Sequence, residues 1–157
     1  MADKIMLTYG LEAEFDDDIG AYTTTVQYNC FDVEITLAEC EENPDTIDRL
    51  KDAFDKFYGG MEKFDSLARE ALCKKVLPML DQHPAGSVQM DDFQSNYVLK
   101  AADLLDSDSD VVHVELTYAD KDSDPDDYDS TVLCAAGTLE NGFEEFYRNG
   151  TLIIPKD

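Results

Sequence analysis

Basic residues are scarce in this chain. Lysine and arginine number 12 among 157 residues, against 36 aspartates and glutamates, and the formal net charge is −24. The shortage argues against a nucleic-acid binder, which needs a cationic surface to displace counterions from phosphate. Anionic membrane surfaces would repel the chain for the same reason. Long apolar runs are also missing. No stretch of eighteen apolar residues occurs, so no spanning helix is expected. The opening MADKIMLTYGLEAEF has no basic segment followed by an apolar one, so no secretion signal is expected. Histidine is limited to His83 and His113, and the four cysteines, Cys30, Cys40, Cys73 and Cys134, include no CxxC pair. The local ligand spacing of a zinc site is therefore absent. The cysteines read as buried free thiols and imply a reducing, cytoplasmic setting. Neither GxSxG, HExxH, a phosphate loop nor GxGxxG occurs. An enzyme is not expected, and no cofactor or metal is implied. A Cys–His pair that meets only in space is the remaining enzymatic route.

What the chain does contain is enough apolar material for a core: 43% hydrophobic residues, eight phenylalanines and eight tyrosines. One domain spanning residues 1–157 is expected. The first third reads as strands, in KIMLTYGLEAEF, AYTTTVQY and CFDVEITLAEC. In FDVEITL, Phe31, Val33, Ile35 and Leu37 alternate with polar residues, the period of a strand with one wet face. The period then changes. Asn43-Pro44 is a helix start, and Ile47, Leu50, Phe54, Phe57 and Tyr58 form one apolar stripe that ends at Gly59-Gly60. A second helix carries Phe64, Leu67, Ala68, Ala71, Leu72 and Leu77, and Pro78 should kink or end it. Asp91 caps a third, weaker helical pattern over Phe93–Leu105. The last third returns to strands: VVHVELTYA, TVLCAAGTL and, after the turn signal Glu140-Asn141-Gly142, FEEFYRNGTLII. The expected fold is α+β: a mainly antiparallel sheet packed against two or three helices, in the order strands, helices, strands.

The charge is unevenly placed. Residues 45–75 hold seven acids and seven bases, so the remaining 126 residues carry the whole excess, with 29 acids and five bases. General solubility predicts a spread over every element, at roughly 2–8 net charges for a small domain. A one-sided field instead steers a cationic partner.

The densest run is DKDSDPDDYD at residues 120–129, with aspartate at six of ten positions. As a calcium loop it fails the EF-hand pattern of glycine at position six and glutamate at position twelve. Counting from Asp120 puts Pro125 and Thr131 there, and counting from Asp122 puts Asp127 and Leu133 there. A weaker cation site built on clustered carboxylates stays open, and DSDSD at 106–110 reads as a polar connection. The alternative is a contact surface for a basic protein: Asp120, Asp122, Asp124, Asp126, Asp127 and Asp129 would meet lysines and arginines. Tyr128 would add packed area and cation–π contact. Asp16, Asp17 and Asp18 would extend that surface if the sheet brings the two segments together. Tyr22, Tyr28 and Tyr118 read as half-buried strand residues.

The layout FDVEITLAECEENPDTIDRLKDAFDKF, then EKFDSLAREALCKKVLPML, then VELTYADKD and TVLCAAGTLENGF, resembles small bacterial proteins of unknown function. Those families are often encoded beside polymorphic or contact-dependent toxins, as immunity proteins. The resemblance is one of architecture, over roughly Cys30–Leu80 and Val111–Phe146. It implies a binding role: an acidic inhibitor that occupies the cationic cleft of a toxin or nuclease in place of phosphate. A phage-encoded nucleic-acid mimic acting on a defence nuclease would use the same physics. A cation-binding or salt-adapted domain is the third reading.

Overall fold

The computed structural model describes residues 4–7, 10–18, 20–28, 31–38, 44–77, 90–106, 112–121, 132–148 and 151–153. These form a nine-stranded sheet whose spatial order follows the chain: β1 (Lys4–Met6), β2 (Glu12–Asp16), β3 (Ala21–Tyr28), β4 (Phe31–Ala38), β5 (Tyr97–Asp106), β6 (Val112–Asp120), β7 (Leu133–Thr138), β8 (Gly142–Arg148) and β9 (Thr151–Ile153). Every neighbouring pair is antiparallel except β4 and β5, which are parallel. Parallel neighbours cannot be joined by a tight turn. The helices lie in that crossover: α1 (Pro44–Gly59), α2 (Met61–Ala71) with a π-helical turn over Leu72–Val76, and α3 (Met90–Asn96). The class is α+β with a predominantly antiparallel sheet, and the sheet is the larger part.

One face of the sheet is apolar because the period-two pattern holds strand after strand. Val33, Ile35 and Leu37 of β4, Ala102 and Leu104 of β5, and Val114, Leu116 and Tyr118 of β6 are all buried. Against them pack Leu50, Phe54 and Phe57 of α1 and Phe64, Ala68 and Leu72 of α2 and its π turn. α1 lies over β5 and β6, and α2 reaches β8. Leu67, expected in the apolar stripe of α2, is 41% exposed. It points away from the sheet on a helix whose other turns supply the contact.

Three local expectations are corrected. The pattern over Phe93–Leu105 is not one helix: α3 stops at Asn96 and the chain continues as β5. A bulge between Leu99 and Ala101 explains the misreading. It shifts the phase of alternation, so the buried positions fall at Tyr97, Leu99, Ala102 and Leu104. The step of three inside that series mimics a helical stripe. Similarly, KIMLTYGLEAEF divides into β1 and β2, with the Leu7 amide donating to the Leu11 carbonyl at 2.7 Å and Gly10 at φ +76°. FEEFYRNGTLII is likewise two strands, β8 and β9, paired with Arg148 opposite Thr151.

The turn after β7 depends on two glycines. Gly142 sits at φ +81°. A Cβ on Gly137 would stand 1.8 Å from the Gly142 carbonyl oxygen. That approach accompanies the irregular register between Ala136 and Gly137.

Candidate functional site

Two networks tie the helical layer to the sheet through acids that sequence reasoning read otherwise: Asp65 as one of the balancing charges of residues 45–75, and Asp106 as part of a polar connection. In the first, the buried Asp65 of α2 receives the Tyr118 hydroxyl at 2.7 Å and the Arg69 Nε at 3.0 Å on Oδ1, and the Tyr28 hydroxyl at 2.9 Å on Oδ2. Arg69 also donates to the Tyr97 carbonyl at 2.7 Å. Its guanidinium lies 5.4 Å from the Phe93 ring centre and 5.0 Å from that of Tyr118. Burial, then the Asp65 carboxylate, pushes the Tyr28 hydroxyl up to about 12, and burial leads the same upward shift at Tyr118. In the second network, Arg49 of α1 forms a two-pronged pair with Asp106 of β5, at 3.0 and 2.9 Å. These groups are fixed by one another and serve architecture.

The other face of the sheet has a different character. The registers place on it Glu12 and Glu14 of β2, Asp32 and Glu34 of β4, Asp103 of β5, Glu115 of β6 and Glu145 of β8. Among the described residues, no helix packs there. Lys4 is the lysine that strand alternation brings to this face, 3.3 Å from Glu14 and 3.9 Å from Glu12. Lys100, at the β5 bulge, donates its ammonium to the Lys121 carbonyl at 3.1 Å. Between the carboxylates of the central strands lie short side chains, including Thr36, Ala101, Thr117 and Ala136.

Asp103 and Glu115 stand directly opposite each other in the β5–β6 register, and Asp103 also faces Thr36 of β4. Burial first, then the charge of Glu115, pushes the Asp103 carboxyl up to about 6, with a hydrogen bond to Thr36 opposing the shift. Nearby, burial raises the Cys134 thiol to about 11 although Thr117 lies at 3.5 Å from its sulfur. Burial raises Cys73 as well. Activated cysteines are shifted the other way. Both are free and buried, as expected; Cys30 and Cys40 lie outside the described residues.

Of the residues singled out from sequence, Asp16 ends β2, and Asp17 and Asp18 are exposed in the following turn. The Asp18 amide donates to Asp16 Oδ1 at 2.9 Å, and the Gly20 amide to the Asp16 carbonyl at 2.8 Å. With Glu14, Phe15 and Thr23 they line an open depression of about 390 Å³. Asp120 ends β6, half-buried. Asp122, Asp124, Asp126, Asp127, Tyr128 and Asp129 lie outside the described residues. The sheet does not bring Asp16–Asp18 beside Asp120. Asp16 pairs with Ala21, Tyr22 with Leu37, Leu37 with Leu104, and Leu104 with Val114, whereas Asp120 pairs with Tyr97 at the other end. The Asp16–Asp18 turn and Asp120 therefore sit at opposite ends of strands that run about 25 Å, at about 3.3 Å per residue.

Sequence reasoning placed the acid excess outside residues 45–75 without locating it on the sheet. The alternation FDVEITL already marked Asp32 and Glu34, and VVHVELTYA marked Glu115. Asp103 was hidden inside the supposed third helix. Among the described residues, no group of three or more His, Cys, Asp or Glu side chains is placed to hold a metal ion, and no helix is long and apolar enough to cross a membrane. No family model, curated protein or solved structure matches this chain.

Proposed function

We propose that this chain is an acidic binding protein of the immunity type, which neutralises a basic toxin or nuclease by occupying its cationic cleft. The observation that carries the reading is the layering of charge. The helical layer is balanced over residues 45–75, while among the described residues the opposite face of the sheet carries carboxylates on five strands with Lys4 the one lysine placed among them by alternation. Self-repulsion at a net charge of −24 works against compaction. A cationic partner would convert that repulsion into attraction and raise the rate of encounter. The resemblance to toxin-associated immunity proteins points the same way. The role is binding rather than catalysis, and the partner is a protein rather than nucleic acid or a membrane. The acidic segments Asp16–Asp18 and Asp120–Asp129 belong to the anionic surface in this reading.

The test is capture from a lysate of the native host on the immobilised chain at low ionic strength, followed by elution with rising salt. A basic toxin or nuclease released at moderate salt, whose activity the free chain then suppresses, is the expected result. Recovery of that protein with undiminished activity in the complex would count against inhibition. A melting temperature raised several degrees by millimolar calcium or molar salt alone would favour a cation-binding or salt-adapted domain.

A further inference from the structure

We infer that the partner docks on the helix-free face of the sheet, with its arginine or lysine side chains seated over the strip where Glu34, Asp103 and Glu115 converge, and that this docking is linked to proton release. The inference rests on the acidic-binder reading and names the surface and its regulation.

Three observations converge on this strip. First, the face is unpartnered among the described residues, because α1, α2 and α3 all belong to the crossover that covers the opposite side. Second, its relief suits inserted side chains. Thr36, Ala101, Thr117 and Ala136 are short, so a cationic group can approach the floor between the flanking carboxylates. Third, Asp103 and Glu115 are directly opposed across an antiparallel pair. Like charges in that position destabilise a sheet. The described ion pairs on this face join Lys4 of the edge strand β1 to Glu12 and Glu14 of β2, away from the centre of the sheet. A cation between the two carboxylates would remove a conflict that the free molecule carries.

The proton linkage follows from the same place. The groups facing Asp103 are Glu34 and Asp32 from β4, Glu115 and His113 from β6, and Cys134 from β7, with Glu145 and Tyr147 beyond on β8. None of them is a permanent cation. Burial, then the charge of Glu115, makes Asp103 hold its proton to about pH 6 in the free protein. An arginine seated beside it favours the carboxylate and expels that proton. Affinity then falls as pH drops through about 6, where the proton must be displaced before the cation can sit.

The measurement uses the peptide Gly-Arg-Gly-Arg-Gly as the probe, titrated into the isotopically labelled full chain at pH 7.5 and low salt. Amide shifts centred on Thr36, Asp103, Glu115 and Thr117 are expected. The double variant Asp103→Asn/Glu115→Gln, with its native amide spectrum confirmed, should bind the peptide weaker by about 5-fold or more, the scale of one or two exposed ion pairs. The carboxyl carbon of Asp103 should titrate near pH 6 alone and lower with peptide. Shifts confined to the Asp16–Asp18 turn or to residues 120–129, or unchanged affinity in the double variant, would overturn the docking site while leaving the acidic-binder reading intact. A midpoint that peptide does not move would overturn the proton linkage. Absence of any salt-dependent binding would remove the acidic-binder reading itself.

Discussion

Asp65 does more for the fold than any exposed acid of the helical layer. Its two oxygens receive two tyrosine hydroxyls and a guanidinium from β3, β6 and its own helix. Removing it strands Arg69 and both hydroxyls in a half-buried setting. Asp65→Ala should cost about 3–5 kcal/mol, the range for breaking one side of a buried charged pair. The exposed Asp52→Ala should stay within about 0.5 kcal/mol. Urea denaturation of the two variants side by side checks the contrast, and equal midpoints would refute it. Asp103 behaves in the opposite sense. Its carboxyl binds a proton more tightly in the folded chain, at about 6 against 3.8, so its contribution to stability falls as pH rises between those values. Asp103→Asn removes that loss. It should raise Tm by about 2–4 °C at pH 7.5, and the gain should vanish near pH 4. A variant less stable than the parent at pH 7.5 would show that the carboxylate is held by something other than its acidic neighbours.

At the scale of elements, the sheet was legible in sequence wherever alternation ran unbroken, and illegible where a bulge or a second turn interrupted it. β4 and β6 show their faces plainly, because Val33, Ile35 and Leu37, and Val114, Leu116 and Tyr118, recur at every second residue. β5 did not, since its bulge inserts a step of three. The parallel pairing of β4 with β5 could not be read either: pairing partners are a property of two segments, and neither carries the other's address. The same limit hid the opposition of Asp103 to Glu115. The helix boundaries at Pro44 and Gly59 were legible because they depend on local backbone chemistry. The turn between β7 and β8 supplies a test at this scale. Gly137→Ala places a methyl against the backbone of Gly142 rather than against a flexible side chain. The hairpin must then open, at about 1–3 kcal/mol. Hydrogen exchange should accelerate first in β7 and β8, and protection equal to the parent's would refute the close approach.

For the whole molecule, what matters is where the charge lies relative to the layers. Among the described residues, the charge of α1 and α2 is balanced and the opposite face of the sheet is acidic, and a field of that shape would orient a cationic partner before contact. With the captured partner in hand, association should slow steeply as salt rises from about 0.01 to 0.15 M, because the screening length shortens from about 30 to 8 Å. Neutralising Asp124, Asp126 and Asp127 together should slow association and flatten that dependence while changing dissociation little. Kinetics identical to the parent's would remove those residues from the encounter surface. The residue count revealed that the charge was unevenly spread along the chain. It could not reveal that the Asp16–Asp18 turn and Asp120 stand at opposite ends, which only the register decides.

The lone parallel seam has a consequence for how the chain finds its form. The strands from β1 to β4 and from β5 to β9 form two antiparallel meanders, each pairing only strands that are neighbours in the chain. Their union at β4 and β5 must wait until the intervening segment, from Ala38 to Tyr97, has closed on itself. Closure of so long a loop is entropically costly before any pairing rewards it. Until then two strands that end up central are bare edges, open to a neighbouring chain. Asp32 and Glu34 on one of those edges and Asp103 on the other set like charge against like wherever two such edges would meet, which disfavours pairing between copies.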